Sequence, residues 1–299
     1  MLGLGCVAVD DLLYVGAYPP ADAKTPVLRR DRQGGGLTAT ALVAAARLGA
    51  RCAYAGVLDT DELSRFVLEG FTREGIDISC VVRRPGARPV ASTIVVDERR
   101  GSRNIFYDLT GAQGAADHQP HEELIAGSRV LLVDHFGIPG MTRAAAIARR
   151  AGSCVVADFE RDELSGFAGL LEWVDHLIVS EDFAKRMTGA GSPERAVAGL
   201  WHPRCKTVVV TAGEAGCWYQ GAPDAPPCHQ PAFKVDAVDT TGCGDVFHGA
   251  YAAALARGLP LSERIRFAAA VAALKATVPG GQAGIPRLAA VEAFLARHP

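Results

Sequence analysis

Between Asp239 and Gly249 the chain reads DTTGCGDVFHG, two acids, two threonines and three glycines running into the helical pattern AYAAALARG. Gly242, Cys243 and Gly244 precede or begin that helix, so free backbone N–H groups and the positive end of the helix dipole favour a phosphoryl anion there. Glycine lets the backbone approach such a ligand closely. Asp245 stands where a carboxylate can take a proton from an attacking hydroxyl while those amides stabilise charge on the transferring phosphate.

Elements that could position this loop are legible around it. Short apolar runs (LGLGCVAV, CAYAGVL, VLLVD, CVVADF, HLIVS, TVVVTAG) alternate with helical patterns such as LTATALVAAARLG and MTRAAAIARRAG. Continuous apolar strands separated by helices predict a doubly wound, mostly parallel α/β sheet with both faces covered. LGLGCVAV reads as the first buried strand. Val246, Phe247, Ala250, Tyr251, Ala254 and Leu255 form one stripe of the helix after the loop. Residues 12–33 and 80–109 break the rhythm with strand-and-turn character, and ASTIVVDERRGSRNIFYDL reads as a hairpin turning at Arg100 and Gly101. These two segments predict a small β-sheet inserted beside the core, a lid or an oligomer contact, within a single domain over 1–299.

Composition narrows the function. The 299 residues are 49% hydrophobic and 21% charged with a formal charge of −2 and no basic run, which argues against nucleic acid and against a polybasic membrane contact. No charge-free apolar stretch reaches membrane-spanning length, and the start lacks a basic region before Asp10, so no signal peptide is expected. Eight cysteines without a C-x-x-C pair read as small buried hydrophobes in a reducing cytoplasm.

DTTGCGD resembles the D-T-x-G-[AC]-G-D signature of the ribokinase-like (pfkB) carbohydrate kinases, GGGLTATALVAAARLGARCAYAGVLDTD resembles their N-terminal double-glycine signature, and VTAGEAG their T-x-G-x-x-G nucleotide loop. The resemblance covers nearly the whole chain, and the inserted segments match the family's lid. It implies an ATP- and Mg²⁺-dependent sugar kinase with a homodimer formed through the lid. By the same resemblance Asp245 is the catalytic base and Gly242, Cys243 and Gly244 form the anion hole. Asp10, Gly35, Gly36 and Thr40 fall where sugar hydroxyls are held, and Thr211, Gly213, Gly216 and Gly281 line the nucleotide site. Thr40 and Ala8 replace asparagines of the ribokinases, which argues against ribose. A monovalent cation (K⁺) is implied beside Asp239. The family's N-x-x-E motif appears as SEDF, with Ser180 for Asn and Phe183 for the final Glu, leaving Glu181 to serve magnesium through water.

QPAFKVDAVDTTGCGDVFHGAYAAALA, ERIRFAAAVAALKAT and PGGQAGIP are similar to the C-terminal half of 6-deoxy-6-sulfofructose kinases. Those hold a sulfonate with a lysine, an asparagine and an arginine. Lys24 matches the lysine, while Tyr107 and Phe136 stand at the other two places. Phenylalanine offers a sulfonate nothing comparable to a guanidinium fork, so a neutral or differently substituted ketose is expected. Three other readings stay open: a nucleoside kinase, a non-catalytic nucleotide or sugar sensor on this fold, and a dinucleotide oxidoreductase, the last weakened because GLGCVAVD lacks G-x-G-x-x-G spacing. His135 could reach a sugar or be a plain loop histidine, whereas His248 reads as a helix-packing residue. The Arg pairs of the inserted segments read as solvated edge charges.

Overall fold

The computed structural model describes residues 1–298. Its main sheet has eight strands in the order β14 (Cys228–Gln230), β13 (Cys217–Gln220), β12 (Thr207–Thr211), β11 (His176–Ser180), β10 (Cys154–Asp158), β9 (Val130–Val133), β1 (Leu2–Gly3) and β4 (Ala53–Tyr54). Strands β12 to β4 run parallel, while β13 and β14 add antiparallel neighbours at one edge. The near-continuous Val, Ile and Leu runs suit this arrangement because both faces of the sheet are covered. Val156, Ile178 and Val209 point into one core with α1 (Leu37–Arg47), α2 (Glu62–Arg73), α8 (Cys243–Ala256), α9 (Leu261–Ala276) and α10 (Leu288–Arg297). Their neighbours Val155, Leu177 and Val208 point into the other, with α3 (Glu122–Ala126), α4 (Ile138–Arg150), α5 (Phe167–Leu171), α6 (Glu181–Thr188) and α7 (Pro193–Gly199). This is the three-layer, doubly wound α/β arrangement that the alternation of apolar runs and helices predicts.

A second sheet orders β3 (Arg29–Gly35), β2 (Ala8–Val15), β7 (Val90–Asp97) and β8 (Ser102–Asp108), and a short pair joins β5 (Val57–Leu58) to β6 (Val82–Arg83). The expected hairpin is present between β7 and β8, with Gly101 at φ +63° in its turn. LGLGCVAV differs from expectation. It is not one strand: the chain leaves the main sheet after Gly3 and enters the second at Ala8. Gly5 and Asp134 force that break. A Cβ at Gly5 would lie 1.9 Å from Asp134 Oδ2, and the Cys6 amide turns to donate to the same oxygen at 2.6 Å.

Helix α8 also departs from a single stripe, being buried continuously from Val246 to Ala254 between α1, α9 and the sheet. Gly249 permits this crowding, since a Cβ there would meet the Ala41 carbonyl oxygen at 2.1 Å. Close backbone contact between α1 and α8 fixes the start of α8, and with it the loop before it.

Candidate active site

Parallel strands deliver their carboxyl ends to one edge, and that edge is rich in acids. Asp134 follows β9, Asp158 ends β10, and Ser180 and Thr211, paired in register, end β11 and β12. The chain runs outward in opposite directions from β1 and β9, so the crevice beyond Asp134 lies at a topological switch point, where open α/β sheets bind ligands. Asp134 is fully enclosed there, accepting from the amides of Cys6 and Phe136 and from Thr38 Oγ1 at 2.6–2.9 Å. Burial outweighs these bonds and pushes its pKa up to about 6.

The first turn of α8 faces this edge. Gly242 precedes it with φ +72°, a conformation glycine adopts without strain, and Cys243 is its first residue. Gly244 has ordinary helical backbone, and nothing lies within 4 Å of where its Cβ would point. Gly244 is exposed and the direction of its Cβ is open, while the left-handed turn belongs to Gly242. A Cβ on Gly242 would sit 3.5 Å from Thr40 Cγ2 and 3.7 Å from both Asp245 Oδ2 and Gly281 Cα, so these four residues converge.

Asp245 is held well above the ordinary carboxylate range, first by burial and then by Asp158 and Glu160, with His248 opposing. Asp158 is raised by burial, Glu160 and Asp134, and Glu160 by burial. His248 is the counterweight. Its Nδ1 lies 2.8 Å from the Gly244 carbonyl and 3.2 Å from Asp158 Oδ2, and its Nε2 2.9 Å from the Ile178 carbonyl. Burial holds its pKa below the ordinary value against the pull of the two carbonyls and Asp245. The histidine ties α8 to β11 directly behind Asp245. Asp158 and Glu160 escaped the sequence reading, although both follow an apolar run (CVVADFE) at the carboxyl end of a parallel strand, which is the available signal.

On the second sheet, Gln33, Asp10, Ser92 and Tyr107 stand opposite one another across four strands and so share a face. Arg103, on the same face of β8, reaches Asp239 at 3.6 Å, which turns this face toward the loop before α8. Burial raises the Asp10 pKa against its hydrogen bond with Ser92. Gly35 and Gly36 allow close approach: a Cβ on Gly35 would lie 2.4 Å from Asp10 Oδ2, and Gly36 takes φ +93° against the Val7 backbone. Tyr107 is 67% exposed, and Lys24 is exposed in the turn between β2 and β3. Phe136 is half-buried against Cys6, Ala8, Leu37 and Val90 at the base of the sheet. His135 beside it is buried, with a pKa lowered to about 4 by burial.

Thr211, Gly213 and Gly216 form the turn from β12 to β13, with open space over Gly213 and Gly216 packed on the Gln230 carbonyl. Glu181, next to Thr211 at the strand ends, pairs with Lys185 at 2.7 Å. Phe183 is buried in the core beside Phe167, so the missing carboxylate of the SEDF segment has been exchanged for packing. The Gly280–Gln282 loop sits on β3: the Gly281 amide donates to Gln33 Oε1 at 3.1 Å, and a Cβ on Gly34 would lie 2.7 Å from Gln282 Oε1.

Asp239 is engaged on every side. Its carboxylate accepts from the Thr241 and Gly280 amides, each at 2.8 Å, and Lys275 Nζ donates to its carbonyl at 2.8 Å. Burial works to raise the Asp239 pKa, yet Thr241, Gly280 and Lys275 together hold it below the ordinary value. A monovalent cation does not fit beside this residue, because a buried ammonium already stands at its carbonyl. Among the described residues no three His, Cys, Asp or Glu side chains are grouped to hold a metal ion.

Comparison with known proteins agrees with this geometry. The sequence model of the pfkB family carbohydrate kinases matches residues 6–288. Fructokinase-1 of Oryza sativa subsp. japonica is 30% identical over 90% of this chain and 88% of its own length. Ketohexokinase of Mus musculus is 27% identical over 94% and 97%. The crystal structure of a putative ribokinase from Agrobacterium tumefaciens superposes with a TM-score of 0.92 at 30% identity, covering 99% of this chain and 97% of that one. An aspartate at the head of a glycine-led helix, at the switch point of a ribokinase-like sheet, therefore has its family: the chain belongs to the pfkB family of carbohydrate kinases.

Proposed function

We propose that the chain transfers the γ-phosphoryl group of ATP to a primary hydroxyl of a ketohexose or a related sugar, with Asp245 as the base. The observation that carries this reading is the placement of Asp245 in the first turn of α8, enclosed by carboxylates that raise its proton affinity, beside open space over Gly244. A base with a raised pKa is suited to accepting the hydroxyl proton near neutral pH. The amides of Gly242 to Gly244 would stabilise charge on the transferring group, and positioning supplies the rest, as phosphoryl transfer asks little covalent chemistry of the protein. The second sheet acts as a lid: Asp10 would orient sugar hydroxyls from above, and Gly35, Gly36 and Thr40 border the same space. Thr211, Gly213, Gly216 and Gly281 would line the nucleotide. Relatives named fructokinase and ketohexokinase favour a ketose.

Magnesium fits the donor chemistry. Asp158 Oδ2 is a buried carboxylate oxygen that accepts no hydrogen bond, with His248 Nδ1, engaged by the Gly244 carbonyl at 2.8 Å, standing 3.2 Å away, and Glu160 adds a second carboxylate near it. These two would hold Mg²⁺ together with water and the nucleotide's own phosphates, with Glu181 acting through water, in keeping with an ion that keeps much of its hydration. When bound, Mg²⁺ neutralises charge on the phosphates.

For the sugar, the place where the resemblance puts a sulfonate-binding arginine is held by Phe136, a half-buried phenylalanine. A neutral ketose is therefore proposed over sulfofructose. A homodimer through the second sheet is also proposed. Strand β8 is an exposed edge carrying Ile105, Phe106 and Tyr107 at 49%, 54% and 67% exposure, the kind of edge that pairs with a copy. Eight unpaired cysteines fit a cytoplasmic setting, and among the described residues no helix is long and apolar enough to cross a membrane. Incubating the protein with ATP, Mg²⁺ and a panel of ketoses, aldoses and nucleosides tests the reading. A phosphorylated ketose as the preferred product is expected, and a nucleoside or ribose product would overturn the substrate class.

A further inference from the structure

Lys275, in the last turn of α9, is fully buried, a rare fate for lysine unless its charge is used. Its Nζ donates to the Asp239 carbonyl at 2.8 Å. The same segment is locked around it: the amides of Val238 and Asp239 both donate to the Ala276 carbonyl, at 2.7 and 3.0 Å. The Asp239 carboxylate then reaches back to the Gly280 amide, closing a ring of contacts from the end of α9 through the loop before α8 to the Gly280–Gln282 loop. Gly284 closes in from the far side, since a Cβ there would lie 3.0 Å from the Lys275 carbonyl. The ammonium is near enough to Asp239, Cys243 and Asp245 for its charge to act on all three.

We propose that Lys275 is a built-in monovalent cation: its ammonium orders the Asp239 loop and the Gly242–Gly244 amides, so that nucleotide binding and turnover need no potassium. A free alkali cation and a buried ammonium cannot share the Asp239 carbonyl, because like charges at contact distance in a poorly solvated site repel strongly. An ammonium on a tethered arm is present at full occupancy whatever the salt, and it fixes the loop before substrate arrives. Lys275 touches no reacting atom in this arrangement and acts through Asp239, as a positioning residue.

The kinetic arm rests on the kinase reading, whereas the binding and melting arms do not. In wild-type protein, ATP affinity by calorimetry and turnover should agree to within about twofold, and the melting temperature should shift by no more than about 1–2 °C, between potassium, sodium and tetramethylammonium buffers. A potassium-specific rise of roughly tenfold in affinity or turnover would overturn the proposal. Lys275→Ala removes the ammonium and leaves room for an ion. Its ATP affinity in tetramethylammonium should fall by roughly tenfold or more, the scale of a lost charge-assisted contact. Potassium or ammonium ions should restore much of that loss, a rescue that a merely structural role would not give. Wild-type affinity in the variant without added cation, or a loss that no small cation restores, would sink the idea. If the variant does not fold, the wild-type salt series decides alone. If no sugar is phosphorylated, the kinase reading fails while the calorimetric and melting arms still judge Lys275.

Discussion

The loop and helix at residues 239–249 and the second sheet face each other across one crevice, yet they are built on opposite principles. Around Asp245 the carboxylates are crowded, with Asp245 and Asp158 half-buried and Glu160 exposed at the rim, and the backbone turns are held by named hydrogen bonds. Strand β8 of the sheet is exposed along its whole length. One ion pair between Arg103 and Asp239 joins the two, at 3.6 Å and partly exposed, a contact of the kind that contributes at most about 1 kcal/mol. Crowded charge on fixed backbone turns suits a reaction step that is the same for every sugar, because preorganised dipoles need no rearrangement at the moment of reaction. The exposed outer strand β8 suits the lid role proposed for this sheet, whose central strands β2 and β7 are largely buried.

If the division of labour is right, damage to the crowded region should be the most severe. Asp245→Asn should slow turnover by at least ~10²-fold, the usual contribution of a positioned base, with ATP binding by calorimetry nearly intact. Turnover close to wild type would end the assignment of the base.

On the sheet side the expected effect is smaller and concerns choice of substrate. A neutral ketose should be preferred to sulfofructose by roughly tenfold or more in kcat/KM, because Phe136 offers a sulfonate no charge-assisted contact. Competition kinetics with sulfofructose and fructose measure it. A clear preference for sulfofructose would mean that Lys24 and another partner suffice.

Two glycines five residues apart sharpen the contrast within the crowded region itself. Gly249→Ala drives a methyl into the Ala41 backbone and should cost about 1–3 kcal/mol in urea unfolding. Gly244→Ala meets nothing within 4 Å, so it should leave stability unchanged or raised by up to about 1 kcal/mol, while weakening ATP binding by filling the ligand's space. Equal stability losses at the two sites would show that the space over Gly244 is not kept for a ligand.

The smallest expected effect is a shift in pH dependence. Because burial, Asp158 and Glu160 raise the Asp245 pKa, the basic form is lost as pH falls through that raised value, and kcat/KM should drop on the acid side above the ordinary carboxylate range. Asp158→Asn removes the largest like-charge contributor, so in protein free of nucleotide and Mg²⁺ the Asp245 titration followed by NMR should move to lower pH. A titration that stays put would remove Asp158 from the account. Stability follows the same sign: for Asp134, with a folded pKa of about 6 against an ordinary 3.8, the stabilising contribution is present below the lower value and is lost as pH rises through the higher one.

Much of this molecule was determined by its linear pattern. Apolar runs alternating with helical periods suffice for a doubly wound sheet, since a strand buried on both faces must be apolar throughout. DTTGCGD and the following alanine-rich run suffice for a glycine-led helix start with an acid in its first turn, because glycines and an acid at a helix head have local physical meaning. Other features had no local signature. The break of LGLGCVAV after Gly3 follows from Asp134, more than a hundred residues away, whose carboxylate takes the Cys6 amide. Asp158 and Glu160 carry a local signal as acids ending an apolar run, but their joining Asp245 depends on β10 and α8 meeting at the crevice, which no spacing in the chain announces. Lys275 looks like one more helical lysine until α9 ends against the Asp239 carbonyl. Periodicity and turn chemistry act between neighbours in sequence, whereas burial and the electrostatics it amplifies depend on distance in space. The elements could therefore be read from the chain, but the charges they enclose required the packed structure.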